Sequence, residues 1–282
     1  MMDKLIVIAG PTACGKSALA VELAQRLDGE IVSADSMQVY KYMDIGTAKI
    51  TPGETGGIRH YLIDEVFPDE EFSVALFQEK AKTYINDIIS RGKMPILAGG
   101  TGFYINAVLY GTDFKQAIGD RVYREKLYAL AERNGPDHVH GLLRDTDPNA
   151  AAAIHPKNLK RVIRALEFYE QTKTLISEHN LIERKRQMVY NAKVIVLRMD
   201  RGLLNARIDR RVDTMIELGL VNEVRDLLAR GYGRELTSMQ GIGYKEIIRY
   251  LYGETTFEHA VSEIKTGSVK EMTMKKTDRE GV

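Results

Sequence analysis

Eight residues near the amino terminus carry the most specific chemistry in the chain. Gly10-Pro11-Thr12-Ala13-Cys14-Gly15-Lys16-Ser17 satisfies the phosphate-loop pattern G-x-x-x-x-G-K-[ST] at every fixed position. Its glycines let backbone N–H groups turn toward an anion. A helix opening behind the loop adds the positive end of its dipole, and Lys16 adds a full charge. The Ser17 hydroxyl is placed to hold Mg²⁺. The motif specifies a polyphosphate ligand without saying which one.

Other residue groups are placed to act on such a ligand. Asp35 follows an apolar run, Glu30-Ile31-Val32-Ser33-Ala34, and is read as either a proton acceptor, a holder of a metal-bound water, or the cap of the next turn. Gly99-Gly100-Thr101-Gly102 forms a second glycine turn after Pro95-Ile96-Leu97-Ala98, presenting the Thr101 hydroxyl. Arg207 and Arg211 lie one helical turn apart, a spacing that suits a clamp on a phosphate. Between Asn158 and Thr172, Leu159, Val162, Ile163, Leu166 and Tyr169 share one helix side, with Lys157, Lys160, Arg161 and Arg164 opposite. A cationic stripe backed by an apolar one suits a helix packed on protein and laid against nucleic-acid phosphates. A merely solvated face is the alternative. Arg184-Lys185-Arg186 adds a further basic cluster.

The elements that must position these residues follow from periodicity. Leu5–Ala9 reads as a buried strand, and Leu19, Ala20, Leu23, Ala24 and Leu27 recur at helical spacing after the loop. Strand, helix and strand in this order form a βαβ unit, so the sheet is expected to be parallel, with ligands at the carboxyl ends of its strands. Further strands are read at His60–Asp64, Pro95–Ala98 and Lys193–Arg198. Helices are read from Ser73 to Gly92, from Leu204 to Leu218 with Leu204, Ile208, Val212, Met215 and Leu218 inward, and at Val221–Arg230 and Tyr244–Tyr252. Strand signals vanish in the middle of the chain. The resulting fold class is α/β, a P-loop NTPase-like parallel sheet flanked by helices and interrupted by a helical insertion. The core takes 1–115 and 189–282, and the insertion takes 116–188.

Composition bounds the remaining possibilities. With 282 residues the chain can bury a sizeable core, and a net charge of +1 means that any nucleic acid must be met by local patches. A single cysteine, Cys14, excludes an internal disulfide and a multi-cysteine metal site. His138 and His140 have no third ligand nearby and read as structural or surface residues. No apolar run spans a bilayer and no signal-peptide layout is present, so a soluble cytoplasmic protein is expected.

Taken together, these stretches resemble one family, the tRNA dimethylallyltransferases, also called tRNA isopentenyltransferases. The resemblance runs from about Lys4 to Lys265. It rests on the phosphate loop, Ser33-Ala34-Asp35-Ser36-Met37-Gln38-Val39-Tyr40, Asp44-Ile45-Gly46-Thr47-Ala48-Lys49 and Gly99-Gly100-Thr101-Gly102-Phe103-Tyr104. It extends to His155-Pro156, Arg161–Glu167, Arg207–Val212 and Gly241-Ile242-Gly243-Tyr244. The resemblance implies transfer of a dimethylallyl group from dimethylallyl diphosphate to the exocyclic N6 amine of the adenosine 3′-adjacent to the anticodon. The loop then binds diphosphate rather than ATP, with Mg²⁺. Lys16, with Arg207 or Arg211, stabilises the leaving diphosphate, and Asp35 takes the amine proton from a flipped-out base. Ser36, Met37 and Gln38 contact the adenine, Gln38 through its amide. Thr101, Arg124 and the basic residues Lys157, Lys160, Arg161 and Arg164 match elements that contact tRNA. The protein is expected to act as a monomer with no membrane partner.

One stretch departs from the family pattern. Where relatives carry a basic, aromatic segment with a Trp, Thr266–Val282 has no aromatic residue. That segment is expected to be disordered or weakly helical, and part of the tRNA grip is expected to be lost. A P-loop small-molecule or nucleoside kinase, which would turn over ATP and ignore tRNA, is the rival enzyme. A non-catalytic nucleic-acid binder is the rival outside enzymes.

Overall fold

The computed structural model describes residues 2–112, 114 and 120–277. The predicted boundary between 115 and 116 and the last five residues of the atypical carboxyl segment lie outside the described residues. The chain divides into two compact units, Met1–Gly111 with Met188–Val282, and Thr112–Gln187.

The first unit is built on five strands: β1 (Lys4–Ala9), β2 (Gly29–Ser33), β3 (His60–Tyr61), β4 (Met94–Gly99) and β5 (Asn191–Val196). They lie in the order β3-β2-β4-β1-β5, and every pairing is parallel. Helix α1 (Lys16–Leu27) covers one face, and α2 (Val74–Ser90) and α3 (Gly102–Tyr110) cover the other. The alternation of β1 explains the layers: Leu5, Val7 and Ala9 pack under α2 and α3, while Ile8 packs under α1. Ser73 caps α2 as expected, its hydroxyl accepting from the Leu76 N–H at 3.2 Å.

Two sequence expectations are corrected here. The His60–Asp64 strand ends at Tyr61, because Leu62 (φ 61°) and Asp64 (φ 55°) adopt left-handed backbone that cannot continue a ladder. Leu218, expected inward, is exposed at the end of its helix.

The second unit contains α4 (Arg121–Asn134), α5 (Pro136–Thr146), α6 (Pro148–Ala153), α7 (Leu159–Thr172) and α8 (Ile176–Arg184). Its core joins Leu127, Val139, Leu143, Val162, Ile163 and Leu166. Back in the first unit, α9 (Arg201–Glu217), α10 (Leu220–Ala229), α11 (Tyr244–Leu251) and α12 (Phe257–Thr277) pack with the Val39–Met43 segment around Ile208, Val212, Met239, Tyr244, Ile247 and Ile264.

One charged cluster fastens the amino end of β2. Glu30 is only 5% exposed and accepts from Arg91 on both oxygens, at 2.7 and 2.6 Å, and from the Tyr61 hydroxyl at 2.7 Å. The Arg91 hydrogen bonds outweigh the opposing effect of burial and, with Tyr61 and Lys93, hold the Glu30 carboxyl at about 2 rather than 4.5. A carboxyl lowered in the folded state stabilises the fold above its unfolded pKa and loses that contribution as pH falls through the folded one. Glu30→Gln should therefore cost about 2 kcal/mol in urea unfolding at pH 7. The difference between variant and native protein should shrink as pH falls from 4.5 toward 2.

Candidate active site

All five strands end at one rim of the first unit, and the sequence after four of them lines a cavity of about 670 Å³. Gly10, Pro11, Thr12 and Lys16 come from the turn after β1, Asp35, Ser36 and Met37 from the turn after β2, and Gly100 and Thr101 from the turn after β4. Leu197, Arg198 and Met199 come from the turn after β5. The opposite wall is α9, contributing Arg201, Leu204, Asn205, Ile208, Arg211, Val212 and Met215. Ile264, Ser268 and Val269 of α12 join it.

The close approach of two strand ends is a backbone matter. A Cβ on Gly99 would lie 2.1 Å from the Ala34 carbonyl oxygen, so only glycine lets β4 reach the end of β2. The Thr101 N–H then donates to Ala34 O at 3.1 Å, and the Thr101 Oγ1 accepts from Ser36 N at 3.3 Å. These bonds place the Thr101 hydroxyl beside the Asp35 segment.

Asp35 combines two of the roles read from sequence. Its Oδ1 accepts from Met37 N at 2.9 Å and Gln38 N at 3.3 Å, which caps the turn and fixes the carboxylate. Its other oxygen has no hydrogen-bond partner among the described residues, on a residue that lines the cavity. Arg211 donates to Thr47 O at 3.3 Å. Burial pulls its pKa down while the Asp35 charge pulls it up, with burial the stronger. Arg207 is exposed and donates to Ala13 O at 3.4 Å, at the back of the phosphate loop. Ala13 itself is held at φ 60° and Lys16 donates to Pro11 O, so both ends of the loop are constrained.

The structure thus brings Lys16, Asp35, Ser36, Met37, Thr101 and Arg211 into one cavity. It does not bring Gln38 there. The Gln38 amide donates to Thr47 O at 3.3 Å and Ala48 O at 3.2 Å, and its oxygen accepts from the Ser33 hydroxyl at 3.4 Å. These bonds tie two loops together. Ala13, Cys14, Gly15 and Ser17 of the phosphate loop are also outside the cavity lining, with the Ser17 side chain exposed at the first turn of α1. Among the described residues, no group of three or more His, Cys, Asp or Glu is arranged to hold a metal.

Sequence reasoning missed Arg198, Arg201, Asn205, Thr47 and the α12 residues. Arg198 was within reach, since it closes the strand read at Lys193–Arg198, at the ligand rim. The α12 residues were not: Thr266–Val269, expected to be disordered or weakly helical, continue a helix, and two of them line the cavity.

In the second unit, the basic stripe is less uniform than its spacing suggests. Arg164 is not a free cation. It donates to Glu167 at 2.8 Å, and Arg124 donates to the same carboxylate at 2.6 Å. Glu167 is fully buried. Burial pushes its pKa up, but the two arginines and the Asp120 N–H overcome this and keep it below the usual carboxylate range. Lys157, Lys160 and Arg161 are exposed and have no acidic partner among the described residues.

A parallel sheet with a phosphate loop at its carboxyl rim, facing a helical wall, defines the broad class as a P-loop-like α/β protein. The comparisons narrow this. Residues 38–270 match the profile of IPP transferase. A tRNA dimethylallyltransferase of Acetivibrio thermocellus is 53% identical over 94% of this chain and 84% of its own length. The crystal structure of a tRNA isopentenylpyrophosphate transferase from Bacillus halodurans superposes with a TM-score of 0.73 at 45% identity, covering 99% of this chain and 88% of that one. A eukaryotic dimethylallyltransferase, described as acting on tRNA, reaches a TM-score of 0.82 at 33% identity, over 96% of this chain and 68% of its own. The chain belongs to the IPP transferase family, that of the tRNA dimethylallyltransferases.

The ion pairs separate two kinds of cation. Arg164→Ala should lower the thermal midpoint, because it leaves a buried carboxylate with one fewer partner, costing about 2 kcal/mol. Lys160→Ala should change stability by no more than about 0.5 kcal/mol and so leave the midpoint near native. Differential scanning calorimetry of the two variants checks both.

Proposed function

We propose that the protein transfers a dimethylallyl group from dimethylallyl diphosphate to N6 of the adenosine 3′-adjacent to the anticodon of tRNA. The observation that carries this reading is the mixed character of one cavity. Lys16, Arg211 and the loop amides make an anion-binding, cationic floor, while Leu204, Ile208, Val212, Met215, Ile264 and Val269 make an apolar wall. A diphosphate bearing a short hydrocarbon matches both. The phosphoryl acceptors of most small-molecule kinases are polar and would leave that wall unmatched. Family membership supports the same choice.

The chemistry follows from the side chains present. The C1–O bond to diphosphate breaks as the N6–C1 bond forms, and the N6 proton passes to the unpartnered oxygen of Asp35. Negative charge grows on the leaving diphosphate, where Lys16, Arg211 and the loop N–H groups stabilise it. Arg207 braces the loop from behind through Ala13. Thr101 orients the Asp35 segment and is placed to contact the incoming nucleotide, with Ser36 and Met37 beside it. Because Asp35 lies on a cavity wall, the adenine must leave its stack to reach it. A Mg²⁺ ion would be held mainly by the diphosphate oxygens and water, with the Ser17 hydroxyl, at the first turn of α1 and outside the cavity lining, as the protein group that would reach it. When bound, it would neutralise phosphate charge.

In the second unit, Lys157, Lys160 and Arg161 are assigned to tRNA phosphates, with Arg124 and Arg164 contributing charge while anchored on Glu167. Among the described residues no helix is long and apolar enough to cross a membrane. A monomer working in the cytoplasm, where tRNA resides, is the form proposed.

Purified protein incubated with Mg²⁺, dimethylallyl diphosphate and bulk tRNA should yield prenylated adenosine on nucleoside mass analysis. ATP turnover without that product would favour a kinase. Asp35→Asn should slow transfer by ~100-fold or more while leaving diphosphate bound. Lys160→Ala combined with Arg161→Ala should weaken tRNA binding and reduce its salt slope by about 1 to 2. An unchanged slope would remove these residues from the interface.

A further inference from the structure

Behind the cavity wall, one carboxylate gathers four donors. Glu223, in the first turn of α10, accepts at Oε2 from Asp44 N at 3.0 Å and Ile45 N at 2.7 Å. At Oε1 it accepts from Gly46 N at 3.1 Å and from the Tyr244 hydroxyl at 2.7 Å. Three successive backbone N–H groups turned to one side form a concave anion seat, here filled by the protein's own side chain. The Tyr244 ring closes the seat from the other side: a Cβ on Gly46 would fall 2.5 Å from its Cζ, so the loop lies flat against the ring only because residue 46 is glycine.

The next residue links this seat to the cavity. Thr47 O is the acceptor for both Arg211 and Gln38, and Gly46, Thr47 and Tyr244 all line the wall. Arg211 is largely shielded from water, and Thr47 O is its recorded hydrogen-bond acceptor. A shift of the 44–47 loop therefore moves the acceptor that aims the Arg211 guanidinium.

We propose that Glu223 is a positioning residue for the anion-binding site: by seating the Asp44–Gly46 amides it fixes Thr47 O, which aims Arg211 at the diphosphate. This rests on the reading of the cavity as a diphosphate site. Glutamine cannot replace it. Its single carbonyl oxygen must serve donors that now share two oxygens, and in either orientation its NH₂ would face at least one backbone N–H and leave it without an acceptor. Alanine at 223 would leave the three amides without their acceptor.

Binding of inorganic pyrophosphate, measured by calorimetry on the full chain, tests this without requiring transfer activity. Glu223→Gln should weaken pyrophosphate binding by about tenfold while tRNA affinity stays within twofold of native. In an Arg211→Ala background the same substitution should change pyrophosphate binding by less than about twofold, because the group it aims is gone. An equal loss in both backgrounds, or no loss in the native one, overturns the proposal. Should the glutamine variant fail to fold, Tyr244→Phe removes one of the four donors and keeps the ring. It should weaken pyrophosphate binding about threefold in the native background and not in Arg211→Ala. A native protein that binds pyrophosphate but makes no prenylated adenosine would refute the transferase reading, while the same comparison of variants still decides the role of Glu223.

Discussion

The structure depends on the all-parallel pairing of its sheet. Parallel strands cannot be joined by tight turns, so each crossover leaves from the same rim and returns at the opposite one. Every carboxyl end, and every residue just beyond it, is thereby delivered to a single edge. The phosphate loop, Asp35, Thr101 and Arg198 come from turns after four different strands, yet they share one cavity for this reason. The fit of Gly99 against the Ala34 carbonyl is the local cost of bringing two of those ends together.

Against that rim the chain sets a helical wall that is polar at some positions and apolar at others. Along α9, Leu204, Ile208, Val212 and Met215 supply hydrocarbon and Arg211 supplies charge, because 3.6-residue periodicity puts neighbouring stripes on one wall. Carboxylates that do no chemistry hold the cationic groups in place. Glu167 binds Arg124 and Arg164 in one unit, and Glu223 seats the loop whose carbonyl receives Arg211 in the other. In both places a buried or half-buried acid sets the direction of an arginine, which is a demanding group to orient by packing alone.

The basic stripe of α7 shows how side-chain partners revise a reading from spacing. Its four cations looked equivalent on a helical wheel, but Glu167 lies one turn beyond Arg164 and is buried. Lys157, Lys160 and Arg161 keep the exposure a phosphate contact requires, and Arg164 has a structural duty as well. Gln38 went the same way: an amide suited by type to an adenine edge is engaged by two backbone carbonyls and a serine.

Read alone, the sequence determined the parallel α/β class, the phosphate loop, the turns carrying Asp35 and Thr101, and the helical character of the middle segment. These are local or periodic properties: glycines at fixed offsets, alternation of two in strands and of 3.6 in helices, caps at helix ends. Tertiary structure alone decided that Arg211 lines the cavity while Arg207 braces the loop, and that Gln38 faces inward. It also decided that Ile264, Ser268 and Val269 complete a wall more than 200 residues away from the phosphate loop in sequence. Those outcomes rest on which carbonyl or carboxylate a polar group meets across the fold, and such partners are separated by too much chain for any spacing rule to register.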